Sequence, residues 1–185
     1  IVFDIKNNGR GPTIAEVLRL DAQGLPLSWA VTGATTFGNK VDEKYALAEG
    51  QARWKDSSGE GSQALAQPRM YVTQSGSPWA LGFYARALLA APDRRLPVLP
   101  AGELALEEGK PLQVSDGKGT RTVRQFAISG IELDPSYLLL DEDNALFAVI
   151  SPGFIVIRRG YEAEEVRLRQ LAADLGEQRL KEIQA

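Results

Sequence analysis

The sequence predicts a mainly β protein: a curved antiparallel sheet or half-barrel packed on one helix, followed by a C-terminal amphipathic helix. Three observations support this fold class. Short apolar runs separated by turn residues fill most of the chain, helical spacing occurs once within the body, and the segment 162–185 is highly charged with one apolar stripe. We therefore expect an antiparallel β domain over 1–161 and a helix over 162–185.

Turns and alternation mark the strands of the first seventy residues. The runs 14–20 and 27–32 flank Gly24 and Pro26. Glycine accepts a positive φ and proline fixes the direction of the chain, so this pattern predicts an antiparallel hairpin. Alternation indicates a later strand, with Val41, Glu43, Tyr45 and Leu47 in one phase and Asp42, Lys44 and Ala46 in the other.

The period becomes helical after Pro78, a residue that suits the first turn of a helix. The apolar residues that recur at this spacing are Leu81, Tyr84, Leu88 and Ala91. We expect a helix over about 78–91, packed on the concave side of the sheet, because the inner face of such a sheet needs a cover. Strands return over 103–108, 112–115 and 120–129.

One short sequence pattern, called the internal echo below, occurs in both halves of the chain. Leu20-Asp21 and Leu140-Asp141 each end an apolar strand and precede a short turn and a second apolar strand. The echo is too short to establish a duplication. The acidic run 141–144 has the composition of a calcium loop, but it lacks the glycine and the glutamate that such a loop needs at its sixth and twelfth positions. A solvated turn is therefore predicted.

The 185 residues include neither histidine nor cysteine, which excludes several classes of active site. Nucleophiles activated by imidazole, His-rich metal sites and disulfides are ruled out. A net charge of −3 without a basic patch disfavours nucleic acid as a partner. No apolar run approaches the roughly 20 residues of a membrane span. The chain opens on Ile1, without an initiator methionine, so we expect a processed or excised fragment.

An ordered set of short stretches extends over nearly the whole chain. It includes Gly9-Arg10-Gly11-Pro12, Val41-Asp42-Glu43, Ala52-Arg53-Trp54-Lys55, Ala85-Arg86-Ala87-Leu88, Leu99-Pro100-Ala101-Gly102-Glu103, Ala127-Ile128-Ser129-Gly130 and Gly160-Tyr161-Glu162. In this order, the stretches resemble the region that precedes the catalytic barrel in a group of secreted bacterial amidohydrolase-superfamily proteins.

The resemblance implies an accessory, non-catalytic N-terminal domain of a metal-dependent hydrolase that cleaves C–N or related bonds. In that superfamily, His and Asp ligands at the ends of the barrel strands hold a divalent metal. None of these ligands maps onto this chain, which has no histidine. We therefore expect no cofactor and no catalysis in the fragment, a divalent metal in the missing catalytic domain, and a periplasmic or secreted location.

The C-terminal helix is the expected contact with the missing catalytic domain. Its apolar stripe consists of Leu168, Leu171, Leu175, Leu180 and Ile183. We expect this possible interaction surface to include residues that are exposed in the fragment and that await the rest of the protein or the partner of a homodimer.

Two other classes of function remain open. The first is a stand-alone periplasmic carrier or binding module for an apolar ligand, with Trp29, Trp54 and Tyr84 as possible cavity-lining residues. A core position is the favoured interpretation for most of these aromatic side chains, because aromatic residues fill the interior of small β domains in any case. The second is an enzyme that uses carboxylates alone, for which the sequence singles out no pair among its 24 acidic residues.

Overall fold

The computed structural model describes residues 1–184, which fall into two compact units, Ile1–Leu104 and a second unit that begins at Ala105. The predicted mainly β fold, with antiparallel sheets, a helix in the body and a C-terminal helix, is confirmed. The elements of the first unit are β1 (Val2–Asp4), β2 (Thr13–Leu20), β3 (Pro26–Ala34), β4 (Lys40–Ala48), β5 (Gln51–Lys55), β6 (Glu60–Ala64), β7 (Met70–Tyr71), α1 (Ala80–Ala90) and β8 (Arg95–Leu99).

Strands β1 to β6 form an open antiparallel sheet in which each strand pairs with the next one along the chain. The alternation predicted for β4 is observed, since Val41, Glu43 and Tyr45 are buried while Lys40 and Lys44 point to solvent. One face of this sheet is therefore packed and the other is solvated, as expected for an antiparallel meander.

Helix α1 covers the packed face of this sheet. The Trp29 ring on β3 lies edge-on to Phe83, with ring centroids 5.9 Å apart, and 6.1 Å from the ring of Tyr84. The helix begins at Ala80 because Pro78 occupies the turn before it. Strands β7 and β8, which precede and follow α1, pair in parallel, and such a pairing needs a crossover connection of this kind.

The second unit consists of antiparallel strands and a long helix. Its elements are β9 (Glu103–Glu108), which starts at the boundary, β10 (Leu112–Ser115), β11 (Thr120–Ser129), β12 (Ser136–Leu140), β13 (Leu146–Ile150), β14 (Ile155–Ile157), a 3-10 turn (Glu162–Glu164) and α2 (Glu165–Gln184). The antiparallel strand order is β9-β11-β12-β13-β14, and β10 pairs with the first half of β11.

Helix α2 is anchored to the sheet of the second unit by its first half. Leu168 and Ala172 are buried in a core cluster that also contains Leu139, Ala148 and Ile150. The outer surface of the helix carries ion pairs at i,i+4 spacing, in agreement with the predicted amphipathic character. Among residues 1–184, no helix combines the length and the apolar composition that crossing a bilayer requires.

Two hairpin turns, one in each unit, have the same hydrogen bonds. Asp21 Oδ1 accepts from the N–H groups two and four residues later, at 2.9 and 2.8 Å, and Asp141 Oδ1 does the same at 3.0 and 2.9 Å. The third residue after each aspartate has a positive φ, +82° at Gly24 and +59° at Asn144. The echo in the sequence is thus a shared turn, although Asp141 is only 3% exposed and is not solvated as predicted.

Candidate binding groove

A groove of about 450 Å³ lies within the second unit, between α2 and the sheet. Ala127 and Ser129 on β11 and Tyr137 on β12 line the sheet side, while Leu171 and Leu175 line the helix side. The volume lies within the roughly 300–1,000 Å³ that is usual for small-molecule sites. The groove is therefore large enough for a ring-sized molecule.

Small side chains on the sheet explain why the groove forms where it does. Residues two apart on a strand share a face, so Gln125, Ala127 and Ser129 all lie under α2. The helix packs closely on the sheet at Leu168 and Ala172, which are buried. Farther along, the short side chains of β11 do not fill the space below the helix.

Gln125 supplies an unusual polar group at the inner end of the groove. The residue is only 6% exposed, and its carboxamide has no hydrogen-bond partner among the residues that the structure describes. Gly109 allows this placement, since a Cβ there would lie 2.5 Å from Gln125 Nε2. The carboxamide is not fully enclosed, because the fully buried side-chain atoms without a partner among the described residues are Tyr45 Oη and Ser77 Oγ. This carboxamide, with two N–H donors and one acceptor oxygen, is thus available to a bound molecule.

Carboxylates outnumber cations around the groove. The acidic lining residues are Glu107, Glu108, Asp174 and Glu182, and the basic ones are Lys110 and Arg179. Two of the acids have cationic partners, because Arg124 Nη1 lies 3.4 Å from Glu108 and Arg179 Nη1 lies 3.6 Å from Glu182. The groove therefore has a negative balance of charge.

The phenol of Tyr137 lies close enough to several of these charged groups to be affected by them. Burial raises the pKa of this phenol, Arg179 acts against the increase, and the carboxylates of Asp134, Glu182 and Glu107 add to it. The phenol is therefore uncharged at neutral pH. It offers one hydroxyl and an aromatic face to a ligand.

The five apolar residues predicted as an interaction surface have three different environments. Leu168 is buried in the core, and Leu171 and Leu175 line the groove. Leu180 and Ile183 are 58% and 65% exposed. The second half of α2 thus presents two surfaces, one toward the groove and one toward solvent.

The three aromatic residues predicted to line a cavity are all in the first unit. Trp29 and Tyr84 are buried in its core beneath α1. Tyr84 Oη accepts from the Thr73 N–H at 2.9 Å, and burial raises the pKa of its phenol to about 12. Trp54 lines an open cleft of about 580 Å³ together with Lys44 and other residues of β4 to β6.

Sequence reasoning missed a pair of buried glutamates in the first unit. Glu16 on β2 and Glu43 on β4 pair in register with Val31 on the strand between them, so they share one face. Two strand spacings separate their backbones by about 9.6 Å. They are 4% and 1% exposed. The available signal was a charged residue in the buried phase of each strand.

Both glutamates accept hydrogen bonds from the loop 74–77 and hold this loop against the sheet. Glu16 Oε2 accepts from Trp29 Nε1 and Glu16 Oε1 from the Ser77 N–H, each at 2.8 Å. Glu43 Oε1 accepts from the Gln74 N–H at 2.9 Å, and Oε2 accepts from the next N–H along the chain at 2.8 Å. These carboxylate oxygens are bonded to donors of the chain itself, as in a structural role.

Tyr71 belongs to the same buried network. Its hydroxyl donates to Glu43 Oε1 at 2.8 Å, and its ring stacks on that of Tyr45 with centroids 4.8 Å apart. Burial, and then the charge of Glu43, raise the pKa of the Tyr71 phenol well above its usual value. The network is therefore a fixed arrangement of donors and acceptors at neutral pH.

Comparisons with known proteins add no relationship, since no family model, no curated protein and no solved structure matches the chain. Within residues 1–184, no three acidic side chains are grouped so that they could hold a metal ion. The expected absence of a cofactor from the fragment stays a prediction, as does the expected link to amidohydrolases.

Proposed function

We propose that the chain is a non-catalytic accessory module whose C-terminal helix docks on a neighbouring domain of a larger protein. The observation that supports this proposal most directly is the exposure of Leu180 and Ile183, one helical turn apart near the end of α2. Burial of two such side chains in an interface stabilises it by about 3 kcal/mol. The two side chains form an apolar patch among charged neighbours, and exposed apolar patches can mark contact surfaces.

The resemblance in the sequence gives the neighbouring domain a chemical identity. We propose the catalytic barrel of a periplasmic or secreted amidohydrolase-superfamily protein, with the divalent metal and the hydrolysis of C–N or related bonds belonging to that barrel. The module itself would be inactive. A homodimer partner is the other candidate for the surface of Leu180 and Ile183.

The first test is the intact mass of the natural gene product. The proposal requires a product that is longer than this chain and that contains, after a further strand, the H-x-H pair of the superfamily. A product that ends near residue 185 would exclude the catalytic barrel as the neighbour. Size-exclusion chromatography with light scattering then tests the homodimer.

The second test uses the longer product itself. Leu180→Ser combined with Ile183→Ser is expected to lower the midpoint of its thermal unfolding and to leave that of the isolated chain unchanged. The control is Glu177→Ala with Lys181→Ala, which removes an exposed ion pair of 2.8 Å from the same turns of α2. Equal behaviour of the two double variants in the longer product would contradict the docking role.

A second candidate function is a binding module for an apolar ligand. It is supported by the groove of about 450 Å³ and by the unpartnered carboxamide of Gln125 inside it. This function is compatible with an accessory role, because the groove and the exposed side chains of Leu180 and Ile183 lie on different sides of α2. Ala127→Leu tests it, since a larger side chain on the sheet would fill the groove and abolish binding.

A further inference from the structure

We infer that the groove of the second unit selects a small organic amine, a molecule with an apolar body of about one ring and a protonated nitrogen. The inference rests on the ligand-binding function proposed above and adds the chemical class of the ligand. Three features of the groove support it: apolar walls, a negative balance of charge, and the unpartnered carboxamide of Gln125, which the groove leaves accessible.

The apolar body has a defined place. Leu171 and Leu175 on α2 face Ala127 and Tyr137 on the sheet, across a space with the volume of a small-molecule site. Apolar surface buried between these side chains favours binding without regard to the charge of the ligand. Charge selectivity must therefore come from the polar groups.

The unpaired charges of the groove favour a cation. Glu107 has no ion-pair partner among the described residues, and Asp174 accepts only from Gln170 Nε2, at 2.8 Å. The charge of Arg179 is compensated by Glu182, which leaves Lys110 as the cation without a partner in this part of the chain. An ammonium group gains from this field, whereas a carboxylate is repelled.

The strand register brings the polar groups for an ammonium together. Ala127 pairs with both Glu107 and Tyr137, and Gln125 is two residues away on the same face of β11. Glu107 and Gln125 are thus diagonal neighbours, about 7–8 Å apart. An ammonium between them donates to the Gln125 carboxamide oxygen, is compensated by Glu107, and lies near the aromatic face of Tyr137.

The test compares three probes that share one aromatic ring: phenethylamine, phenethyl alcohol and hydrocinnamate. Their affinities for the full chain are measured at neutral pH and low salt by ligand-observed NMR titration. We expect phenethylamine to bind about tenfold more tightly than hydrocinnamate, with the alcohol between them. Raising the salt concentration should reduce the difference between amine and carboxylate.

Two variants locate the effect. Glu107→Gln is expected to lower the affinity for phenethylamine about fivefold and to leave the affinity for phenethyl alcohol unchanged. Glu132→Gln, which removes an exposed carboxylate outside the groove, serves as the matched control and should change neither. Ala127→Leu should abolish binding of all three probes, and circular dichroism verifies that this variant keeps its fold.

The outcomes separate this inference from the function on which it rests. Equal binding of the three probes, lost in Ala127→Leu, overturns the selection of amines and leaves ligand binding in place. Amine binding that persists in Ala127→Leu, or no binding of any probe at millimolar concentration, overturns both. None of these results bears on docking through Leu180 and Ile183, which is measured in the longer product.

Discussion

The Asp21 and Asp141 hairpin turns have the same backbone hydrogen bonds and different surroundings. Asp21 is half-buried and has no ion-pair partner among residues 1–184. Asp141 is 3% exposed, and its Oδ2 lies 2.7 Å from Arg158 Nη1 and 3.6 Å from Arg121 Nη1. An aspartate that caps a turn therefore needs no cation at the surface, whereas a buried one has guanidinium partners that compensate its charge.

The difference also affects protonation. Burial alone would raise the pKa of the Asp141 carboxyl, but the Arg158 guanidinium and the N–H groups of Ala145 and Asp143 outweigh it and hold that pKa below its usual value. Because the carboxylate form is favoured in the folded chain, this group stabilises the fold above the pKa it has when unfolded. The contribution is lost as the pH falls through the folded value.

The largest expected effect comes from removing the buried aspartate. Asp141→Ala is expected to lower the free energy of unfolding by about 3 kcal/mol, because it removes charge-assisted hydrogen bonds from Arg158 and from two backbone N–H groups. Urea unfolding at pH 7 measures it. If Asp141→Ala loses no more free energy of unfolding than Asp21→Ala does, the guanidinium groups of Arg158 and Arg121 add nothing to the stability of this turn.

Lowering the pH should remove much of the stability that Asp141 contributes to the fold. The stability difference between the native chain and Asp141→Ala is expected to be constant at neutral pH and to shrink below about pH 4, the usual pKa of an aspartate in an unfolded chain. Thermal unfolding of both proteins between pH 7 and pH 2.5 follows the change. A difference that grows in acid would contradict the direction of the pKa shift given above.

A smaller effect is expected in the first hairpin. Asp21→Ala removes the bonds that its Oδ1 accepts from two backbone N–H groups, in a half-exposed setting where solvent replaces part of the loss. We expect about 1 kcal/mol. The same urea experiment applies, and a loss as large as that of Asp141→Ala would mean that the backbone hydrogen bonds of the turn, not the ion pairs, dominate both sites.

The smallest effect should come from exchanging a turn residue between the hairpins. Gly24 has a φ of +82° and no atom within 4 Å of a Cβ placed there, so only backbone strain opposes a side chain. Asn144 tolerates a positive φ at the equivalent position. Gly24→Asn is therefore expected to cost less than about 0.5 kcal/mol and Gly24→Ala about 1 kcal/mol. If Gly24→Asn and Gly24→Ala lose the same free energy of unfolding, asparagine has no advantage in the first turn, and the two turns are not equivalent.

Local patterns were sufficient to predict α1 and the first hairpin, but not β6 or β8, which lie in segments whose turn residues indicate loops. The change to helical spacing after Pro78 located α1 to within two residues at each end, because proline and apolar periodicity act within one or two turns. The hairpin at Gly24 followed from turn residues in the same way. The environment of Asp141 could not be predicted from local patterns, because Arg158 and Arg121 lie far from Asp141 in sequence and reach it only through strand pairing.

The candidate groove could not be predicted for the same reason. Its existence depends on Ala127 and Ser129 lying beneath α2, and nothing in an alternating strand indicates which helix will cover it. Leu171 and Leu175 lie on the helix side of the groove, and an apolar stripe in the sequence does not distinguish a core contact from the wall of a groove. Trp29 and Tyr84 were ambiguous because core and cavity favour the same side chains.

The loop that Glu16 and Glu43 fasten to the sheet has a consequence for protein engineering. The carboxylates bind backbone N–H groups, so the side chain of Ser75 can be exchanged without removing a donor, whereas that of Gln74 also hydrogen-bonds to Ser57 and Ser58. Gly76 is also constrained, because a Cβ there would lie 2.1 Å from Thr73 Oγ1. The backbone of the segment is thus held in place without help from the Ser75 side chain, which makes residue 75 suitable for attaching a fluorophore or a spin label that reports on the orientation of the first unit.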